Sequence, residues 1–283
     1  MKRTVAFGII GLLFASVSYA AFYQFDERDP NYQLALSIAA AQEAQKEVDI
    51  NEKIILDEDF TPQDFGLTGV GILPTSPVYF LKGIRRTIQS AITFDPAAEV
   101  ELKIRFSAEK LLEAKAVAGA EGADPDDIKY ALENFHGELA RVNARVQDAT
   151  EGLGEEKAVE LTKKLMDSTI KYQKSLGKIE KTLPPTLFED IKLAKEKTSE
   201  TFGGVFDLVK PEKAVQELTA VLETQKGSEF KDFKNIEVLK EIEEKVPEQA
   251  KDAMRMAQEQ ALTRLQGELE KLQLAKKAIF EDF

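Results

Sequence analysis

The stretch Gly71-Ile-Leu-Pro-Thr-Ser-Pro-Val-Tyr-Phe-Leu-Lys82, with the corner Phe94-Asp95-Pro96 that follows it, decides how this chain is read. Pro74 and Pro77 each fix φ and remove a backbone donor, so the chain before Pro77 is extended rather than helical. Ser76 stands as an N-cap and Pro77 as the first helical residue, the position where proline is favoured. Leu81, Ile84, Ile88 and Ala91 then recur at spacings of three, four and three, which is one face of a helix. Asp95 caps a second helix that Pro96 opens. Val78, Tyr79 and Phe80 are expected to pack back on Ile72 and Leu73 as a staple.

Working outward, the corner leads into Glu101-Leu-Lys-Ile-Arg-Phe-Ser-Ala-Glu-Lys-Leu-Leu-Glu-Ala114. These three segments together resemble a bacterial family catalogued as domain of unknown function 5667. That family is marked by LP-x-SP-x-Y-x-x-K, an FDP-like corner and a helix carrying A-x-E-x-L-x-E-A. The resemblance covers roughly residues 60–150. It implies an extracytoplasmic helical domain and no activity.

Upstream, Met1-Lys-Arg3 precedes an apolar run from Val5 to Val17, and Ser18-Tyr19-Ala20 offers a small–x–small cleavage site. This reads as a signal peptide over residues 1–20, with an uncleaved N-terminal anchor as the alternative. Residues 21–70 read as a helix from Asn31 to Val48 followed by an exposed acidic linker, Asp49 to Gly71, that ends by docking Ile72 and Leu73. The protein is therefore expected outside the cytoplasm: periplasmic, on the cell surface or secreted.

Downstream, the chain is helix upon helix, in a region 71–150 with the proline motif and a region 151–283. Pro96 to Ala118 carries Glu99–Lys103 and Glu101–Arg105 at i,i+4 spacing. Asp124-Pro125 starts a helix whose seam is Ile128, Ala131, Phe135, Leu139, Val142, Val146 and Ala149. Glu155 to Leu183 shows the seam Ala158, Leu161, Leu165, Thr169, Tyr172, Leu176, Ile179 and Leu183. Pro184-Pro185 stops it, and Thr186-Leu-Phe-Glu189 reads as a capping box that restarts a helix to Phe202. A short helix opens at Pro211, and Gly227 to Asn235 reads as a polar loop. The last helix spans Pro247 to Phe283, with Leu262, Leu265, Leu269, Leu272 and Ile279 on one side. Leu176, Ile179, Leu183, Pro184 and Ala194 recur at constant offset as Leu239, Ile242, Val246, Pro247 and Ala257, the pattern of a duplicated helix–proline–helix unit. The fold class is all-α, an elongated antiparallel helical array or bundle.

Composition limits the chemistry. The sequence has no cysteine and one histidine, His136, which removes thiolate catalysis, disulfides and a structural zinc site. No nucleophile context surrounds His136. Asp57-Glu-Asp59 and Asp124–Asp127 lack calcium-loop spacing. No cofactor is expected, and the chain reads as non-enzymatic; an acidic, metal-dependent helical enzyme is the remote alternative. Formal charge is −12 and becomes −14 without Lys2 and Arg3, which argues against nucleic acid as a partner.

Two surfaces remain as interaction candidates. One is the motif Pro74, Ser76, Pro77, Tyr79, Lys82, Phe94, Asp95 and Pro96. Its plainer reading is a locked corner, with Lys82 bonding a carbonyl of the extended segment. The other is the stripe Lys164, Lys171 and Lys178, seven apart. It suits an anionic partner, or else a solvated face balanced by the chain's own acids. Leu262-Thr-Arg-Leu-Gln266 matches the L-T-x-x-Q motif of periplasmic stress-sensing helical proteins once, which makes a chaperone-like role a further alternative. A protein partner or envelope component, membrane association through the N-terminal segment, and self-association through free helix seams complete the expectations.

Overall fold

The computed structural model describes residues 59–150, 152–227, 231–244, 246 and 248–281. The signal segment, the Asn31–Val48 helix and most of the acidic linker lie outside them. The described chain is helical, with no strand among its described residues. Its helices are α1 (Phe80–Ala91), α2 (Pro96–Ala118), α3 (Pro125–Thr150), α4 (Glu155–Glu180), α5 (Phe188–Gly204), α6 (Pro211–Thr224), α7 (Lys231–Glu243) and α8 (Glu248–Glu281).

Two apolar cores hold α2 to α8. One joins Val100 and Ile104 of α2, Val142 and Val146 of α3 and Leu161 to Ile170 of α4 with α6, α7 and α8. The other joins Ala108 to Val117 of α2, Ile128 to Leu139 of α3 and Tyr172 to Ile179 of α4 with the start of α5. The order of contributions reverses from each of these three long helices to the next, so α2, α3 and α4 run antiparallel. Every residue of the expected α3 and α4 seams is buried. Asp95 caps α2 by accepting from the backbone N–H groups of Ala97 (2.9 Å) and Ala98 (3.1 Å).

Several expectations change. The first helix does not open at Pro77. Ser76 and Tyr79 close successive i→i+3 turns, Ser76 N to Leu73 O and Tyr79 N to Ser76 O, and α1 starts only at Phe80. The restart after Pro185 is a 3₁₀ turn, Pro185–Leu187, with no side-chain cap from Thr186. Residues 231–235 are not loop but the start of α7. Asp232 and Asn235 are buried there and bonded to each other, and Asp232 takes a second-helix partner described below. Residues 59–65 are not exposed linker either. Phe60 is fully buried and Phe65 stacks on Tyr172, their rings brought to the bundle by the 3₁₀ turn Pro62–Phe65. The acidic composition of the stretch conceals two aromatic anchors.

The helix surface pairs also differ. Glu99 reaches Arg145 of α3 (2.9 Å) and Glu101 reaches Lys164 of α4 (2.6 Å), so both bridge helices instead of running along α2. A charge near a packed neighbour gains more from a cross-helix partner that shares its burial than from an exposed i,i+4 partner.

Candidate functional site

The proline motif and α2 meet in a charged knot. Gly71 sits at φ 71°, the left-handed region that glycine adopts freely. This turn presents the carbonyls of Val70 and Ile72 to the Lys82 ammonium, which donates to them at 2.7 and 3.2 Å. The same ammonium lies 2.6 Å from Glu113 and 2.7 Å from Glu109. Glu113 has no solvent exposure. It is held by Lys82, by Lys110 (3.2 Å), by Arg86 (3.6 Å) and by the Tyr79 hydroxyl, which donates to its other oxygen. Lys110 in turn donates to the Tyr79 oxygen and lies over its ring. Arg86 bonds Glu109 at 2.6 Å and stacks over Phe106.

Three cations thus enclose one fully buried carboxylate, Glu113, and one partly buried carboxylate, Glu109. Burial pushes the Glu109 carboxyl up, but hydrogen bonds from Lys82 and Arg86 outweigh it and hold the group below the usual glutamate range. Burial lowers the Lys110 ammonium below the usual lysine range, against the pull of Glu113. The two carboxylates and the Lys82 and Lys110 ammonium groups are partnered by one another and by Arg86 and Tyr79, which makes the knot a clamp between the motif and α2.

The clamp turns α1 inside out. Its anchoring residues Lys82, Arg86 and Ser90 (which accepts from Lys103 at 2.9 Å) recur every four residues on the side toward α2. Ile84, Ile88 and Ile92 recur at the same spacing, two residues displaced. Two residues are about 200° on a helix, so this stripe faces away from the bundle. Ile84, Ile88 and Ile92 are more than half exposed, Leu81 nearly so, and Phe94 is 88 % exposed. Phe80 and Val78 are exposed as well, so the expected staple does not form. A helix in a bundle ordinarily buries its apolar stripe; α1 instead turns Lys82 and Arg86 inward.

A cleft of about 450 Å³ opens beside the clamp, lined by the Gly66–Ile72 loop, Leu81, Arg85 and Gln89 of α1, and Leu102, Arg105 and Phe106 of α2. Arg85 and Arg105 are exposed, and among the described residues neither meets a carboxylate.

A model of the Domain of unknown function (DUF5667) family matches residues 71–249, from the glycine that begins the motif to the first turn of α8. The chain belongs to the DUF5667 family. The match extends well beyond the segment that carries the sequence resemblance and takes in the buried residues of one core and most of those of the other. No curated protein and no solved structure matches the chain. The residues of the proline motif and its corner divide by role here. Tyr79 and Lys82 form the clamp, Asp95 and Pro96 start α2, Pro74, Ser76 and Pro77 shape the turns, and Phe94 projects into solvent.

The lysine stripe is engaged within the chain. Lys164 pairs with Glu101 and Glu160, and Lys171 with Asp167 (2.6 Å) and the Asp64 carbonyl (2.9 Å). Lys178 reaches Asp59 at 3.5 Å, a carboxylate that Lys115 also holds. In the L-T-x-x-Q match, Leu265 is buried and Arg264 donates to both oxygens of Asp232 (2.8 and 3.0 Å). His136 is half-buried, and burial lowers its imidazole below the usual histidine range. Among the described residues no cluster of histidine and carboxylates could hold a metal ion, and no helix is long and apolar enough to cross a membrane.

Sequence reading missed Glu109, Lys110 and Glu113 as partners of the motif. Their signal was present: a lysine and two glutamates on one face of a strongly apolar helix need an ionic partner.

Proposed function

We propose that this DUF5667 protein is a non-enzymatic interaction module of the bacterial cell envelope, acting outside the cytoplasm, and that its docking element is the outward face of α1. The inverted helix carries this reading. Eight apolar side chains between Ile72 and Phe94 are exposed together, and contiguous patches of that kind mark interaction sites. The clamp beneath them keeps α1 in this orientation, because turning the stripe inward would strand Lys82 and Arg86 against apolar surface. Export rests on the N-terminal sequence, Lys2-Arg3 followed by the apolar run Val5–Val17.

A photo-crosslinking residue placed at Ile88 in the producing cell tests this, with the same residue at Asp252, on exposed α8 surface, as control. Adducts formed at Ile88 and absent at Asp252 support a dedicated docking face. Equal labelling at both, or none at either, overturns it. Turnover of any substrate that depends on His136 overturns the non-enzymatic reading.

A further inference from the structure

Resting on that reading, we infer that the occupant of the α1 face is an anionic lipid bilayer surface, met by the stripe Leu81, Ile84, Ile88 and Ile92 with Phe80 and Phe94 at its ends.

Three observations favour lipid over protein. The first is shape. The face is convex, a single 12-residue helix about 18 Å long standing off α2 on long side chains. Helix-binding protein partners usually offer a groove, whereas a fluid acyl boundary conforms to a protruding helix. The second is composition. The exposed residues are isoleucine, leucine, valine and phenylalanine. Six of the eight are aliphatic, and isoleucine, leucine, valine and phenylalanine are the side chains that partition most favourably into acyl chains. Tyr79 is drawn into the clamp.

The third is charge. The protein carries −12 overall, so an anionic surface repels most of it. From Phe65 to Phe94 there is no aspartate or glutamate, and the basic residues are Lys82, Arg85 and Arg86. Lys82 and Arg86 are neutralised by the clamp. Arg85 remains, and with Arg105 it flanks the cleft at the edge of the apolar face. Arg86, which lines the same cleft, leaves its buried Nε without an acceptor. Long-range repulsion elsewhere and local attraction here orient the molecule with α1 toward the lipid. The apolar side chains then enter the headgroup boundary, while a lipid phosphate is bound between Arg85 and Arg105. This is an interfacial helix that lies on the bilayer without spanning it.

The sequence has no tryptophan, so a single reporter is free of background. In the full chain, Phe94→Trp is read on vesicles of phosphatidylcholine alone and on vesicles containing phosphatidylglycerol. Because the apolar N-terminal run can bind vesicles by itself, the readout is burial of the reporter and not pelleting of the protein. The expected result is a blue-shifted emission, quenched by brominated acyl chains, on phosphatidylglycerol vesicles. Arg85→Glu with Arg105→Glu weakens the response by at least about tenfold, and Ile84→Glu with Ile88→Glu abolishes it. All these side chains are solvent-exposed, and far-UV circular dichroism checks that the fold is kept. A reporter that stays water-exposed on both vesicle types overturns the lipid assignment. So does a blue shift that grows with protein concentration without vesicles, which assigns the face to a second copy. If the lipid test fails while Ile88 still yields protein adducts in cells, the docking reading survives without the bilayer. If both fail, both fall.

Discussion

The ammonium of Lys82 lies 2.6 Å from a carboxylate oxygen of Glu113, a side chain with no solvent exposure. This pair fastens the amphipathic helix α1 to the bundle by its charged side and so determines which side meets the solvent. Glu113 also takes Lys110, Arg86 and the Tyr79 hydroxyl. Replacing it by alanine leaves buried cations uncompensated. Glu113→Ala is therefore expected to lower unfolding stability by about 3 kcal/mol or more, measured by urea denaturation. Tyr79→Phe removes one hydrogen bond from the same carboxylate and is expected to cost about 1–2 kcal/mol.

Gly71 occupies the left-handed region, and a Cβ there would lie 3.6 Å from the Lys82 nitrogen. Gly71→Ala is expected to cost about 1–2 kcal/mol from backbone strain alone. Limited proteolysis should then cleave the 66–72 loop faster, because the turn that brings the Val70 and Ile72 carbonyls to Lys82 is loosened.

Acid should release the clamp. The folded Glu109 carboxyl titrates below its ordinary value of 4.5. Its contribution is complete above about pH 4.5 and is lost as the pH falls through the lower folded value. Wild type should lose stability on acidification through that window. Glu109→Gln should be less stable at neutral pH and should show a shallower decline. A series of melting temperatures from pH 7 to pH 3 reads the difference between the two slopes.

Arg264 grips Asp232 with two hydrogen bonds, joining α8 to α7. Asp232 is buried and also accepts from Asn235. Arg264→Ala is expected to cost about 2–3 kcal/mol in a chemical melt. Arg264→Lys should recover little of it, since an ammonium cannot reproduce the planar fork. Arg264, at one of the unspecified positions of the L-T-x-x-Q match, is thus a structural tie.

Much of the bundle was legible from periodicity. The α3 and α4 seams are buried as spaced, and the Asp95 cap with Pro96 starts α2 where the residues place it. Periodicity also found the Leu81–Ile84–Ile88 stripe, but a stripe carries no label for core or solvent. Its direction depends on Lys82 and Arg86 finding Glu109 and Glu113, some thirty residues away, and local pattern cannot encode that pairing. Phe60 and Phe65 were overlooked because isolated aromatics in an acidic stretch have no period. The 231–235 segment was overlooked because Asp232 and Asn235 read as loop formers, and only their partner on α8 makes them acceptable inside a helix. The acidic partners of the lysine stripe lie on α2, on α4 itself and in residues 59–64, so the one-helix view displayed the charges without all their counterions.

The three long helices α2, α3 and α4 each lend one half to one core and the other half to the other. Neither core can melt while leaving those rods intact, so heat should dismantle the protein in a single calorimetric step whose van't Hoff and calorimetric enthalpies agree. The same rods make the two ends mechanically continuous. A load taken up at α1 is carried through α2 into the helices that seat α6, α7 and α8, so a contact at one end of the described bundle is borne by both of its cores.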